Sequence, residues 1–163
     1  MATPLAYTAR YAHPIAALRT AIADEQYWKD RIEEVGGPGA RLDSFRADAD
    51  QVVVAMTQAI PASELPAAIT SVRPGDLIIP RTETYRLGDL SGVFEAHVQD
   101  APAQATGTIT YTDEGAGCQG VADGSVAVQI PLFGKKIEAV VAQKLLELLT
   151  SETEFTDTWI TNH

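Results

Sequence analysis

The period of the apolar positions changes along the chain and marks out its elements. Over residues 5–12, Leu5, Tyr7, Ala9 and Tyr11 share one face at period two, which predicts a strand. His13-Pro14 ends it, because the residue before a proline is pushed out of helical geometry while proline suits a first helical turn. From 14 to about 23, Ile15, Leu18 and Ile22 recur at helical spacing. A second short helix follows over 24–34, with Asp24 as its N-cap and Tyr27, Trp28 and Ile32 on its buried side. Gly36-Gly37-Pro38-Gly39 stops helical structure. Strand patterns then fill about 40–48, 51–60, 76–87, 92–100, 105–113 and 118–130. The turns between them carry Asp48-Ala49-Asp50, Gly88-Asp89, Asp100-Ala101-Pro102 and Gly115-Ala116-Gly117, so consecutive antiparallel hairpins are expected. The stretch 61–72 is too long for a hairpin turn and has room for a short helix interrupted or kinked at Pro66. Asp123-Gly124 is a hairpin signal inside a segment whose length suggests one strand, and a bulge is the favoured resolution.

The last thirty residues carry the longest pattern. After Pro131-Leu132-Phe133-Gly134, the positions Ile137, Val140, Val141, Leu145, Leu148, Phe155 and Trp159 draw an apolar stripe along one helix over 134–161. At 1.5 Å per residue that helix runs roughly 40 Å. Its stripe needs a cover, and a single antiparallel sheet of about seven strands is the only element large enough, which makes an α+β architecture. A sheet of that many strands curls, and a curled sheet around one helix leaves space between them. Residues 1–163 are read as a single domain, since a chain of 163 residues fits one hydrophobic core without staples.

Composition narrows the function classes. The net charge of −10 argues against nucleic-acid backbones and anionic membranes as partners, because both need clustered Lys and Arg. No run approaches the roughly 18 apolar residues of a membrane span, so no stable membrane insertion is expected. The Met1-Ala2-Thr3-Pro4 start lacks the basic and apolar regions of a signal peptide, and a cytoplasmic location is the default expectation. The lone Cys118 excludes an internal disulfide and has no flanking basic residue to activate it; it is read as a small core hydrophobe.

Conventional catalytic signatures are missing. His13, His97 and His163 are far apart with no HExxH or paired-ligand spacing, so neither a metal site nor a cofactor is expected. There is no GxSxG elbow, and the glycine-rich 36–39 turn leads to a strand without the Lys-Ser/Thr of a phosphate loop. The informative positions are charges on apolar faces. In the strand 76–87, Arg81 and Glu83 alternate with Leu77, Ile79, Tyr85 and Leu87, and on the long helix Glu152 falls between Leu148 and Phe155, with Lys144 near the edge. Two readings stand. Either Pro80 shifts the register and turns Arg81 and Glu83 outward, with Glu152 near a cavity mouth, or the three form a polar spot that orients a mostly apolar ligand. On the second reading the lining comprises Arg81, Glu83, Tyr85, Phe94, Tyr111, Val141, Leu148 and Glu152, with Tyr7, Tyr11, Trp28 and Trp159 adding aromatic surface. No catalytic residue is assigned.

The residues Tyr27-Trp28 after Asp24, Pro74-Gly75-Asp76-Leu77, Arg81-Thr82-Glu83-Thr84, Pro131-Leu132, Gly134, Lys136-Ile137-Glu138, Phe155 and Trp159-Ile160 together resemble the helix-grip superfamily. That superfamily includes START lipid-transfer domains, Bet v 1-like proteins and polyketide cyclases. More narrowly, the chain is similar to the family filed within it as domain of unknown function 2505. Tyr85 departs from the tryptophan expected there, and Asp123-Gly124 interrupts the last strand. The resemblance implies a helix-grip fold, a cavity and a hydrophobic small-molecule partner that is lipid-, polyketide- or isoprenoid-like. The alternatives are a cyclase- or aromatase-like enzyme using Glu83 or Glu152 as buried general acid or base, and an interaction module whose cavity has collapsed. Cavity volume separates the last from the others, because below about 300 Å³ there is no room for a sizeable ligand.

Overall fold

The structure, a computed structural model, describes residues 2–132 and 134–163. Met1 and Phe133, the latter within the approach to the long helix, lie outside the described residues. The strands β1 (Thr3–Tyr11), β2 (Arg41–Ala47), β3 (Gln51–Ile60), β4 (Leu77–Arg86), β5 (Ser91–His97), β6 (Ala103–Glu114) and β7 (Gly117–Val128) form one antiparallel sheet in the order β1-β7-β6-β5-β4-β3-β2. Helices α1 (Ile15–Ile22) and α2 (Glu25–Val35) bridge its two edges, and α4 (Gly134–Asn162) follows β7 as one continuous helix. This is the α+β arrangement the periodicity predicts.

Local chemistry sets the junctions. Asp157 accepts from the Ala12 amide at 3.0 Å and Asp113 from the Ile15 amide at 3.0 Å, so two carboxylates hold the chain where β1 gives way to α1. Asp24 caps α2 by accepting from Gln26 N at 2.9 Å. Between β3 and β4 the chain makes a 3-10 turn, Ala62–Glu64, and the short helix α3, Ala67–Thr70. Pro66 occupies the N-cap of α3 rather than interrupting a helix, a place where its missing N–H costs nothing.

Two strand expectations need correction. Asp123-Gly124 is neither bulge nor turn: Asp123 pairs with Ala6 and Thr108, Gly124 with Leu5 and Gly107, and the register is unbroken on both sides. Gly124 and Gly107 face each other because the Phe94 ring lies over both. A Cβ on Gly107 would come within 2.6 Å of Phe94 Cζ, and one on Gly124 within 3.1 Å of it and in collision with the Thr106 carbonyl. The bulge is instead on the edge strand β2, between Leu42 and Ser44, where Arg41 binds Asp43 at 2.7 Å. Pro80 causes no shift either. It pairs in register with Thr57, and Arg81 and Glu83 remain on the inner face with Leu77, Ile79 and Tyr85.

The buried face of α4 is displaced from the apolar stripe read in the sequence. Ile137 and Trp159 are buried, but Val141, Leu148 and Phe155 are half-buried, and the fully covered positions are Glu138, Ala142, Glu152, Thr153 and Thr156. Positions spaced by seven drift about 20° per repeat on a straight helix, so a stripe followed through Val141, Leu148 and Phe155 slides off the covered face. Leu148 lines a shallow groove with Val35, Ala59 and Pro61 outside the grip.

Candidate functional site

Along the inner face of the sheet two different environments meet. One half holds Leu5, Ile60, Leu77, Ile79, Phe94, Val98, Ala105, Val126 and Val128 against Ile137, Ala142 and Leu145 of α4. The other packs α1 and α2 against Val52, Val54, Met56, Tyr85 and Trp159. It also buries four charged side chains. Arg31 of α2, Arg81 and Glu83 of β4 and Glu152 of α4 are each more than nine-tenths covered.

These four form a closed ion cluster. Arg81 grips Glu152 with both terminal nitrogens, Nη1 to Oε2 at 2.8 Å and Nη2 to Oε1 at 3.1 Å, and meets Glu83 Oε2 at 2.7 Å. Arg31 Nη2 lies 2.9 Å from Glu152 Oε1 and 3.4 Å from Glu83 Oε2. Gln58 bridges, accepting from Arg81 Nη1 at 3.0 Å and donating to Glu152 Oε2 at 3.0 Å. The Tyr85 hydroxyl donates to Glu83 Oε1. Two positive and two negative charges thus cancel, which is the condition under which burial of ions is tolerated at all.

The electrostatic consequences follow from that pairing. Burial alone would push the Glu152 carboxyl up, but Arg31 and Arg81, with hydrogen bonds from Arg81 and Gln58, pull its pKa down to about 2. Burial works against the charges of Arg31 and Arg81 too, and Glu152 foremost outweighs it, so both are held protonated above the ordinary guanidinium value. Tyr85 and Tyr111 move upward, chiefly by burial, then by the charge of Glu83 beside Tyr85 and by Tyr11 beside Tyr111. Glu138, at the other end of α4, is held below its usual value by the Val128 amide at 2.9 Å and by Thr3 at 2.8 Å.

Above the cluster lies a chamber of about 50 Å³, walled by Tyr7, Tyr11, Tyr27, Tyr111, Thr153 and Thr156 besides the charged residues. Tyr7 donates to Thr153 Oγ1 at 3.1 Å and Tyr27 to Thr156 Oγ1 at 2.6 Å, while both threonines donate to carbonyls one turn back on α4. The Arg31 guanidinium stacks 4.6 Å over Trp28, whose indole N–H is bound by Ile22 O at 2.9 Å. The apolar half contains a hollow of about 230 Å³ formed by Ile69, Val72, Leu77, Val128, Ile137 and Val141, with a smaller one of about 20 Å³ adjoining it at Ile79 and Leu145.

The single cavity expected between the sheet and the long helix is instead in two parts. Gly107 lies on β6 between Ala105, beside the smaller void, and Ile109, beside the chamber. Phe94 fills that level. Of the residues singled out from the sequence, Arg81, Glu83, Tyr85, Tyr111 and Glu152 converge on the polar chamber. Val141 lies in the apolar hollow, Phe94 stands between the two, and Leu148 is outside both. Arg31 and Gln58 were missed. Both carried a signal, since Arg31 follows Tyr27 and Trp28 at helical spacing and Gln58 alternates with Val52, Val54 and Met56. No described helix is long and apolar enough to cross a membrane.

A seven-stranded antiparallel sheet gripping one long C-terminal helix, with two short helices joining its edge strands, is the helix-grip fold of START and Bet v 1-like proteins. The comparisons with known proteins agree and go one step further. The chain belongs to the family described as protein of unknown function DUF2505, whose model matches residues 6–160. It is 29% identical over 166 residues to the uncharacterized protein Rv0481c of Mycobacterium tuberculosis, covering 96% of this chain and 95% of that one. Among solved structures it is similar to TTHA0849 of Thermus thermophilus, with a TM-score of 0.65 at 13% identity over 98% of this chain and 97% of that one. The Zhui aromatase/cyclase of Streptomyces sp. R1128 matches with a TM-score of 0.61 at 10% identity, over 95% and 94%.

Proposed function

We propose that this protein binds a hydrophobic small molecule in the apolar half of the grip. The observation that carries this reading is the hollow of about 230 Å³ between Leu77, Val98, Ala103, Val128 and Ile137, which opens beside the exposed Val72. Its volume falls below the roughly 300 Å³ set above for a sizeable ligand, so what it holds without rearrangement is smaller than drug-sized. It suits a compact ring system or a short acyl segment, and a whole lipid or polyketide would need more of the grip to open. The likeness to an aromatase/cyclase fold supports the same class of ligand by analogy of architecture.

The polar half supports binding over catalysis. A general acid must hold a proton near neutral pH and a general base must have appreciable proton affinity. Glu152 has neither, because two arginines keep its pKa at about 2, and Glu83 accepts from Tyr85 and both arginines. A cyclase mechanism based on these carboxylates would have to break the ion cluster first.

Binding of the fluorescent apolar probe 1-N-phenylnaphthylamine tests the proposal. The wild-type protein is expected to bind it, and Val141→Trp, which fills the hollow from α4, is expected to weaken binding by at least about tenfold, the equivalent of roughly 1.4 kcal/mol. No binding by wild type, or equal binding by the Trp variant with its fold intact, overturns the assignment.

A further inference from the structure

We infer that the polar chamber receives the leading end of the ligand, and that this end is a neutral oxygen acceptor such as a ketone, ester or quinone carbonyl. The inference rests on the binding reading above and specifies the chemistry of what binds. It follows from the hydrogen-bonding groups that line the chamber. All four carboxylate oxygens already accept. Glu152 Oε1 takes both arginines and Oε2 takes Arg81 and Gln58; Glu83 Oε2 takes both arginines and Oε1 takes Tyr85. Thr153 and Thr156 spend their hydrogens on helix carbonyls and accept from Tyr7 and Tyr27.

What remains buried and unpaired is a donor. Arg31 Nε–H, buried, has no partner among the described residues. The Tyr111 hydroxyl, also in the wall of the chamber, makes no hydrogen bond among the described residues and is free to donate to an incoming acceptor. A buried donor left unpaired costs about 1–3 kcal/mol, so an incoming acceptor is favoured. The sign of charge is also constrained. With two arginines matched to two glutamates, an added carboxylate would bring an uncompensated charge against Glu83 and Glu152, and an ammonium would bring more donors where acceptors are already taken.

About 50 Å³ admits a terminal group of two or three heavy atoms and no more, so the apolar body must lie elsewhere. The hollow lies along the same inner face; the small void adjoining it at Ile79 and Ala105 is separated from the chamber at the level of Gly107 and Gly124, over which the Phe94 ring lies. For one ligand to occupy both spaces, that ring has to leave its glycine pair.

Displacement of 1-N-phenylnaphthylamine by a shape-matched pair tests this: 2-nonanone and 2-methyl-1-nonene, which differ in whether the terminal double bond ends in oxygen or CH₂. Nonanoate provides the charged arm. The ketone is expected to bind at least about fivefold more tightly than the alkene, the worth of one good hydrogen bond. Tyr111→Phe, with each affinity taken relative to the variant's own affinity for the dye, is expected to reduce that ratio to within about twofold. Equal affinity for ketone and alkene, a ratio that survives Tyr111→Phe, or nonanoate binding as tightly as the ketone each overturns the inference while dye binding still stands. Failure of the dye itself to bind overturns the binding reading and this one with it.

Discussion

The two halves of the grip bury comparable sets of side chains by opposite means. In the half around Leu77, Ile79, Val126 and Ile137, aliphatic groups meet with few directional demands, and the remaining space is left as an apolar hollow. In the half around Trp28, Tyr85 and Trp159, the same sheet and the same helix enclose four charges paired with one another, with only the Arg31 Nε–H left without a partner among the described residues. Dispersion and hydrophobic burial tolerate imperfect fit at modest cost, whereas a desolvated charge is stable only with every partner in place. The apolar half is therefore the one able to deform around a guest, and the polar half is the one that fixes α2, β4 and α4 relative to each other.

That contrast can be broken most directly by Arg81→Met. It leaves Glu152 with one arginine and Glu83 weakly paired, and the expected cost is about 3–5 kcal/mol, measured as the shift in urea unfolding free energy. A cost below about 1 kcal/mol would show that the cluster is solvated and the two halves are alike. Acid should read out the same difference. The folded-state pKa of Glu152 is depressed to about 2 from an ordinary 4.5, so its contribution to stability is complete above pH 4.5 and is lost as the pH falls toward 2. A loss of a few kcal/mol over that window is expected for the wild type. Glu152→Gln, although less stable overall, should show a visibly flatter slope in the same window.

The boundary between the halves is sharpened by Gly124→Ala. An added methyl meets the Thr106 carbonyl and the Phe94 ring, and the expected cost is about 1–3 kcal/mol, the range of an overpacked site. Gly107→Ala should act through the same ring, and Phe94→Leu should relieve part of the penalty if the ring is the shared obstacle. The smallest effect is expected from Val93→Thr, whose side chain is on the outer face of the sheet and 50% exposed: within about 0.5 kcal/mol in thermal or urea unfolding.

Much of the fold was legible because period two and period 3.6 survive in the chain almost undisturbed. The strand alternation through Leu77, Ile79, Arg81, Glu83 and Tyr85 fixes which side chains share a face, and the structure keeps all five inside. The long helix was equally visible from its length. Within the site, Arg81, Glu83 and Glu152 stood out as charges on otherwise apolar faces, since alternation alone determines that they point the same way as their hydrophobic neighbours. What alternation leaves open is what lies opposite.

Tertiary structure alone supplied the partners. That Arg31 of α2 and Gln58 of β3 meet Glu152 depends on how α2 and β3 approach α4 in space, and local pattern carries no information on contacts 94 or more positions apart. The exact covered face of α4 was decided there too, because the drift between a seven-residue repeat and a 3.6-residue turn is resolved only by what the helix packs against. So was the meaning of Asp123-Gly124. In sequence the pair signals a turn, but Gly124 is needed because a Cβ there would strike the Thr106 carbonyl of the neighbouring strand and crowd the ring of Phe94, a residue thirty positions away that reaches it only because β5, β6 and β7 are neighbours in one sheet. Local propensity is a bias of a kcal/mol or so, and the packing of one aromatic ring across three strands is large enough to override it.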